Sequence, residues 1–194
     1  MVRHGETDWN VAGILQGWLD VPLNEQGRRQ SEELAERCAG AGFTSVWSSP
    51  LQRSLETAEI VAAALGLPEP ICHPGLMERN FGAIQGIPKS ELGELNPVLL
   101  QQILRRNPAA HFENGETMDE FADRVLNSLR ELGAEHGGEC VLLVTHGWVM
   151  DVITRHVLGL PRSTILNLKR KNGEAVWLAV TACSVVRDPD GHMF

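Results

Sequence analysis

Four short stretches of this chain carry reactive side chains, three of them together with glycine or proline. They are Arg3-His4-Gly5-Glu6-Thr7, Ser48-Ser49-Pro50-Leu51-Gln52-Arg53, Met77-Glu78-Arg79 and Val144-Thr145-His146-Gly147. Neutral imidazole is a good nucleophile near neutral pH, because its ordinary pKa is close to 6.5. A guanidinium presents a planar fork of donors that matches phosphate oxygens. His4 therefore reads as a nucleophile and Arg3 as a group that holds a phosphoryl beside it. Gly5 would let the backbone approach a ligand or take a positive φ. Each residue also has a plainer reading: a basic arm for Arg3-His4, a solvated helix residue for Arg53, a satisfied core histidine for His146. Glu6 and Asp8, close in sequence to His4, could serve as an acid. His73, His111, His136, His156 and His192 lack comparable context and read as structural or surface residues.

The elements that must position these groups are legible from periodicity. Val2 is the only apolar residue between Met1 and Arg3, so a first strand is either very short or begins upstream. Residues 25–41 read as a helix stopped by Gly40 and Gly42, and residues 44–48 as a short strand. Leu51, Leu55, Ala58, Val61, Ala62 and Leu65 share one helical face, with Arg53 in the first turn. A cation there opposes the helix dipole, yet that same end attracts anions. Residues 70–73 read as a short strand, and Glu78 follows it. Residues 88–95 and 98–106 read as two helices within a region of broken periodicity, about 86–115, which looks like a lid-like insertion. Thr117-Met118-Asp119-Glu120 opens a capped helix. Residues 140–145 form an apolar run suited to a strand buried on both faces, with His146 and Gly147 at its end and a helix after it. Residues 164–169 and 175–181 look β-like, joined through Asn172-Gly173 as a hairpin.

This order implies one domain over 1–194, an α/β three-layer α/β/α sandwich whose sheet is mostly parallel with an antiparallel edge. Ligands collect at the C-terminal strand ends of such sheets, so His4, Arg53, Glu78 and His146 are expected to meet there. The chain has 194 residues and a net charge of −8, which argues against nucleic acid or an anionic membrane as a partner. Its four cysteines are far apart and show no metal-ligand spacing. The sequence shows no signal peptide and no apolar run near membrane length, so the expected setting is cytoplasmic.

Together, Arg3-His4-Gly5-Glu6-Thr7 with Asn10, Ser48-Ser49-Pro50-Leu51-Gln52-Arg53, Met77-Glu78-Arg79 before Phe81-Gly82, and Val144-Thr145-His146-Gly147 resemble the histidine phosphatase superfamily, which includes the cofactor-dependent phosphoglycerate mutases. The resemblance spans nearly the whole chain. It implies a phosphoglycerate mutase-like fold, His4 as the residue that becomes phosphorylated, and Arg3, Arg53 and a protonated His146 around the phosphoryl oxygens. It implies Glu78 as proton donor to the leaving group. Asn10, the backbone around Gln16-Gly17 and the Gly147 amide are implied as further phosphate contacts. It implies neither metal nor cofactor, and a small phosphorylated substrate as partner.

Within that resemblance, mutases usually carry a longer insertion between the acid and the second histidine. Here Glu78 and His146 are 68 residues apart, which favours hydrolysis of a phosphomonoester through phosphohistidine. The local run Glu78-Arg79-Asn80-Phe81-Gly82-Ala83-Ile84-Gln85-Gly86 is mutase-like and keeps phosphoryl-transfer isomerisation as an alternative. A third alternative is a non-catalytic domain that binds a phospholigand. Arg79, Lys89, Arg105 and Arg106 could recognise an acidic leaving group or form a solvated basic face. Oligomeric state stays open, the hairpin offering an edge for pairing with a second copy.

Overall fold

The computed structural model of the chain describes residues 1–188. Four strands form a fully parallel sheet: β1 (Val2–Arg3), β2 (Ser45–Ser48), β3 (Ile71–Cys72) and β4 (Val141–Thr145), in the order β1-β4-β2-β3. β4 pairs Val2 with Val144 on one side and Trp47 with Leu143 on the other. Side chains alternate across such a strand, and β4 sends Leu142 and Val144 to one core and Leu143 to the other. Burial on both faces is what the apolar run from Val141 to Val144 dictates.

Helices α2 (Glu25–Cys38) and α3 (Gln52–Leu65) cover the first face, with Leu34, Ala35, Cys38, Ala58, Val61 and Ala62 packed on Val2, Val46 and Val144. α6 (Met118–Glu135) and α7 (Gly147–Val157) cover the other with Phe121, Val125, Leu129, Val149 and Ile153. The capping box at Thr117 forms as expected: its hydroxyl accepts from the Glu120 amide at 3.2 Å, and its amide donates to the Glu120 carboxylate at 2.9 Å. One short helix has no counterpart in the sequence reading. α1 (Asp8–Ala12) is held by a second capping box, between Thr7 and Asn10, and five residues are too few to carry a periodic stripe. The segment 86–115 carries α4 (Lys89–Leu95) and α5 (Pro97–Leu104). It buries Leu92, Ile103, Ala110 and Phe112 in the α6/α7 core.

The C-terminal part departs from expectation. Residues 164–169 form no strand, and Asn172-Gly173 does not join a hairpin. Asn172 instead donates from Nδ2 to the His4 carbonyl at 2.9 Å. Gly173, at φ +70°, turns the chain so that Ala175 bridges antiparallel to Val2. The antiparallel edge therefore lies against β1. A separate two-stranded antiparallel sheet joins β5 (Leu178–Val180) to β6 (Val185–Arg187). The local turn signal was sound, but its partner was decided by the free edge of β1. The expectations for His192 and for the last residues fall outside the described residues. Among the described residues no helix is long and apolar enough to cross a membrane.

Candidate active site

The C-terminal strand ends open into a cavity of about 530 Å³. Arg3, His4, Asn10, Gln16, Gly17, Arg53, Glu78 and Gly147 all line it. His146 stands directly behind His4, with ring centres 5.1 Å apart. All nine residues singled out in the sequence thus meet at one sheet edge. Another cavity, about 320 Å³ and bordered by Met1, Phe43, Cys140 and Leu178, opens at the opposite strand ends and shares none of these groups.

His4 follows β1 and is 3% exposed. Its Nδ1 lies 2.6 Å from the Gly5 carbonyl oxygen. A carbonyl can only accept, so Nδ1 carries the proton and Nε2 keeps its lone pair. Burial, with Arg53 and Arg3 nearby, drives the His4 pKa well below 6.5. The ring is therefore uncharged and of defined tautomer, with a lone pair at Nε2. Gly5 contributes differently from expectation: its φ is not positive, and a Cβ there would sit 2.4 Å from the Gly27 oxygen. The contact that excludes a side chain there is with the first turn of α2.

Arg3 and Arg53 are fixed by main-chain oxygens. Arg3 donates from Nη1 to Arg170 at 2.6 Å, and Arg53 from Nη1 and Nη2 to Leu19 at 3.0 Å and Gly17 at 2.8 Å. Gly17 has φ +53°, and a Cβ would lie 2.1 Å from Gln85 Oε1; the turn that presents its carbonyl to Arg53 favours glycine. Burial lowers both guanidinia to about 10, so both remain cations at neutral pH. Arg3 Nε, Arg53 Nε, His146 Nδ1 and Gln16 Oε1 are all buried without a protein partner. Buried donors left unpaired are costly unless a ligand meets them. Two cations lining one cavity, with the His146 ring against that of His4, call for an anion with several oxygens.

His146 ends β4 and caps α7. Its Nε2 lies 2.8 Å from Ser49 Oγ, and that oxygen also accepts from the Leu51 amide. The hydroxyl proton is then free to go to Nε2, leaving Nδ1 as the N–H. Burial first, then Arg53, hold this ring well below 6.5 as well. In place of the expected protonated His146 the ring is neutral, because burial first and then Arg53 disfavour its charge.

Glu78 is 9% exposed and accepts from the Arg79 amide at 2.9 Å and the Trp148 amide at 3.4 Å. Burial raises its pKa above 4.5, opposed first by Arg106. The turn that carries it is held by Arg124, which donates to the carbonyls of Gly75, Met77 and Glu78, and by Trp18 Nε1, 2.7 Å from the Glu78 carbonyl. Arg124 gave no signal in sequence, since it sits on the polar face of a helix. Asn10 spends its Oδ1 on the Thr7 amide, leaving Nδ2 as the end it can offer a ligand. Gly147 lies at the α7 N-terminus, where a Cβ would stand 3.1 Å from Arg106 Nη2. The outer wall is basic: Lys89, Arg105, Arg106, Lys169 and Arg170 line it. No group of three or more potential metal ligands occurs among the described residues.

The profile of the histidine phosphatase superfamily (branch 1) matches residues 1–186. The chain is 38% identical over 152 residues to phosphoglycerate mutase-like protein 4 of Arabidopsis thaliana, covering 77% of this chain and 66% of the relative. It is also 38% identical over 155 residues to a metal-independent phosphoserine phosphatase of that plant, covering 79% of this chain and 65% of the relative. The chain therefore spans just under two thirds of the length of both. The solved structure of Bacillus stearothermophilus YhfR superposes with a TM-score of 0.88 at 28% identity, covering 100% of this chain and 96% of that one.

Proposed function

Because the chain belongs to the histidine phosphatase superfamily (branch 1), we propose that it hydrolyses small phosphomonoesters through a phosphohistidine formed on His4. The observation that carries this reading is the Gly5 carbonyl on His4 Nδ1, which leaves an uncharged Nε2 in a cavity walled by Arg3 and Arg53.

In the first step the Nε2 lone pair attacks phosphorus and the ester P–O bond breaks. Arg3, Arg53 and His146 Nδ1–H neutralise the charge on the phosphoryl oxygens, the largest electrostatic demand of the reaction. Glu78 delivers its proton to the leaving oxygen, and its raised pKa keeps that proton available toward neutral pH. In the second step the Glu78 carboxylate takes a proton from water, the water oxygen attacks phosphorus, the P–N bond breaks, and inorganic phosphate leaves. Asn10, Gln16, Gly17 and Gly147 complete the phosphate side. Lys89, Arg105 and Lys169 on the outer wall suit a leaving group that is itself anionic. Every proton and charge in this scheme is carried by protein groups, so neither metal nor cofactor is assigned a step.

The direct test is turnover of p-nitrophenyl phosphate with trapping, by an alkaline denaturing quench, of a base-stable, acid-labile phosphoenzyme. His4→Ala should lose both, with activity down by roughly 10⁴-fold or more, as for removal of an essential nucleophile. Activity should survive exhaustive treatment with EDTA. Undiminished turnover by His4→Ala would end the proposal. The basic outer wall and the mutase-like relative favour one second reading, isomerisation of an acidic sugar phosphate. Fast isomerisation of 3-phosphoglycerate primed by 2,3-bisphosphoglycerate, with little free phosphate, would replace hydrolysis by that reading.

A further inference from the structure

Asp151 lies on α7, five residues beyond His146, and is 0% exposed. A carboxylate taken out of water needs partners on both oxygens. Asp151 finds them on two segments remote from each other in sequence. Oδ2 accepts from Nε of Arg106, which follows α5. Oδ1 accepts from Nε of Arg170 at 2.8 Å. Arg170 is further tied to α7 through Nη2, at 2.5 Å from Thr154 Oγ1 and 3.3 Å from the Met150 carbonyl.

Both partners lead into the phosphoryl site. The carbonyl of Arg170 is the oxygen that receives Arg3 Nη1. Arg106 has its Cζ 5.0 Å from the Trp148 ring centre, and its charge is the largest of those acting on the Glu78 carboxyl. Its Nη2 is buried without a protein partner, so the guanidinium keeps a donor unused. Arg106 also has φ +53°, a conformation that a residue with a side chain keeps only when its surroundings hold it. Asp151 supplies one hold, and Arg155 Nη2, 3.3 Å from the Arg106 carbonyl, supplies another.

We propose that Asp151 is a positioning residue for phosphoryl transfer: one oxygen fixes Arg106 beside the proton donor, and the other fixes, through Arg170, the carbonyl that orients Arg3. This assignment rests on the phosphatase reading above. Charge matters as much as shape. Without Asp151, the guanidinia of Arg106, Arg155 and Arg170 would share this part of the fold with one anion fewer.

The test is a double-mutant cycle on hydrolysis of p-nitrophenyl phosphate, with circular dichroism and urea unfolding run on every variant. Asp151→Asn should lower kcat/KM roughly 10- to 100-fold, the scale of losing orientation at a reacting centre, with the loss in kcat. Asp151→Glu, which keeps the charge, should recover part of it, and takes the place of Asn in the cycle if Asn does not fold. Combined with Arg106→Gln, the two losses should fall short of multiplying by at least about threefold. Losses that multiply, or a kcat unchanged in the folded Asp151 variant, overturn the proposal. Failure of the underlying reading looks different: the wild-type protein itself would neither turn over phosphomonoesters nor trap phosphate on His4. In that case calorimetric binding of inorganic phosphate decides, equal affinity in wild type and Asp151→Asn overturning the assignment and weaker binding in the variant supporting it.

Discussion

The rings of His4 and His146 stand 5.1 Å apart, tilted by 57°, and each is driven well below its ordinary pKa by burial and by Arg53. Two imidazoles so close could not both hold a proton beside two guanidinia. The native site therefore stabilises a neutral pair, and this has a consequence for folding. Protons bind these rings more readily in the unfolded chain than in the native one, so stability is fully present above pH 6.5 and is lost as pH falls from 6.5 toward the depressed native values. Each histidine should contribute a slope of about 1.4 kcal/mol per pH unit in that window. Urea unfolding at pH 5 and pH 7 measures it. His146→Asn should flatten the slope by about half, and an unchanged slope would contradict the assignment.

Glu78 titrates in the opposite sense. Its raised pKa means that the protonated acid persists to higher pH than in a free glutamate, and is lost as pH rises through the native value. The pH profile of kcat/KM should thus fall on its alkaline side with the loss of this proton. Glu78→Gln should lower activity by about 10²- to 10⁴-fold, the usual contribution of general acid catalysis, and should remove that limb. An alkaline limb of the same position in Glu78→Gln would assign the proton elsewhere, to Glu6 or Asp8.

Ser49 holds His146 by a 2.8 Å contact to Nε2. Ser49→Ala leaves that buried nitrogen without its partner and frees the ring to change tautomer. The expected cost is about 1–3 kcal/mol of stability. A loss of about tenfold in kcat/KM is expected with it, the kinetic equivalent of one hydrogen bond. Nitrogen chemical shifts of His146 should move toward tautomer averaging, and a ring unaltered in the variant would refute the role.

Gly27 and the catalytic loop share a close backbone contact. A Cβ on Gly27 would lie 2.1 Å from the Glu6 oxygen, and one on Gly5 would lie 2.4 Å from the Gly27 oxygen. Neither neighbour is a side chain that can swing away. Gly27→Ala should cost about 1–3 kcal/mol or more from overpacking, and should lower activity by pushing the His4 loop outward. Gly137→Ala, where φ is not positive and a Cβ meets only the Gly133 oxygen at 3.8 Å, is the control for adding a methyl group. Calorimetric melting of the two variants separates them, and equal Tm values would show that the loop tolerates displacement.

The four motifs, the order of strands and helices from β1 to α7 apart from α1, and the expected meeting place of His4, Arg53, Glu78 and His146 were legible in the sequence. The physical reason is local: a parallel strand buried on both faces reads as an unbroken apolar run, as from Val141 to Val144, and its C-terminal end points to the same sheet edge as every other. The periodic faces of α3 and α6 and the capping box at Thr117 likewise depend on neighbours within a few residues.

Tertiary structure decided what depends on partners distant along the chain. Asn172-Gly173 reads as a hairpin until the free edge of β1 and the His4 carbonyl compete for it. What bars a side chain at Gly5, the Gly27 backbone against it, is invisible along the sequence. His146 reads as a cation until burial beside Arg53 makes a second charge unaffordable. Arg106, Arg124 and Asp151 look like solvated charges, because pairing across the fold leaves no period, cap or turn residue in sequence. A sequence records which atoms are available and how each segment prefers to coil; which charges lose their water, and against what, is settled only when remote segments close on one another.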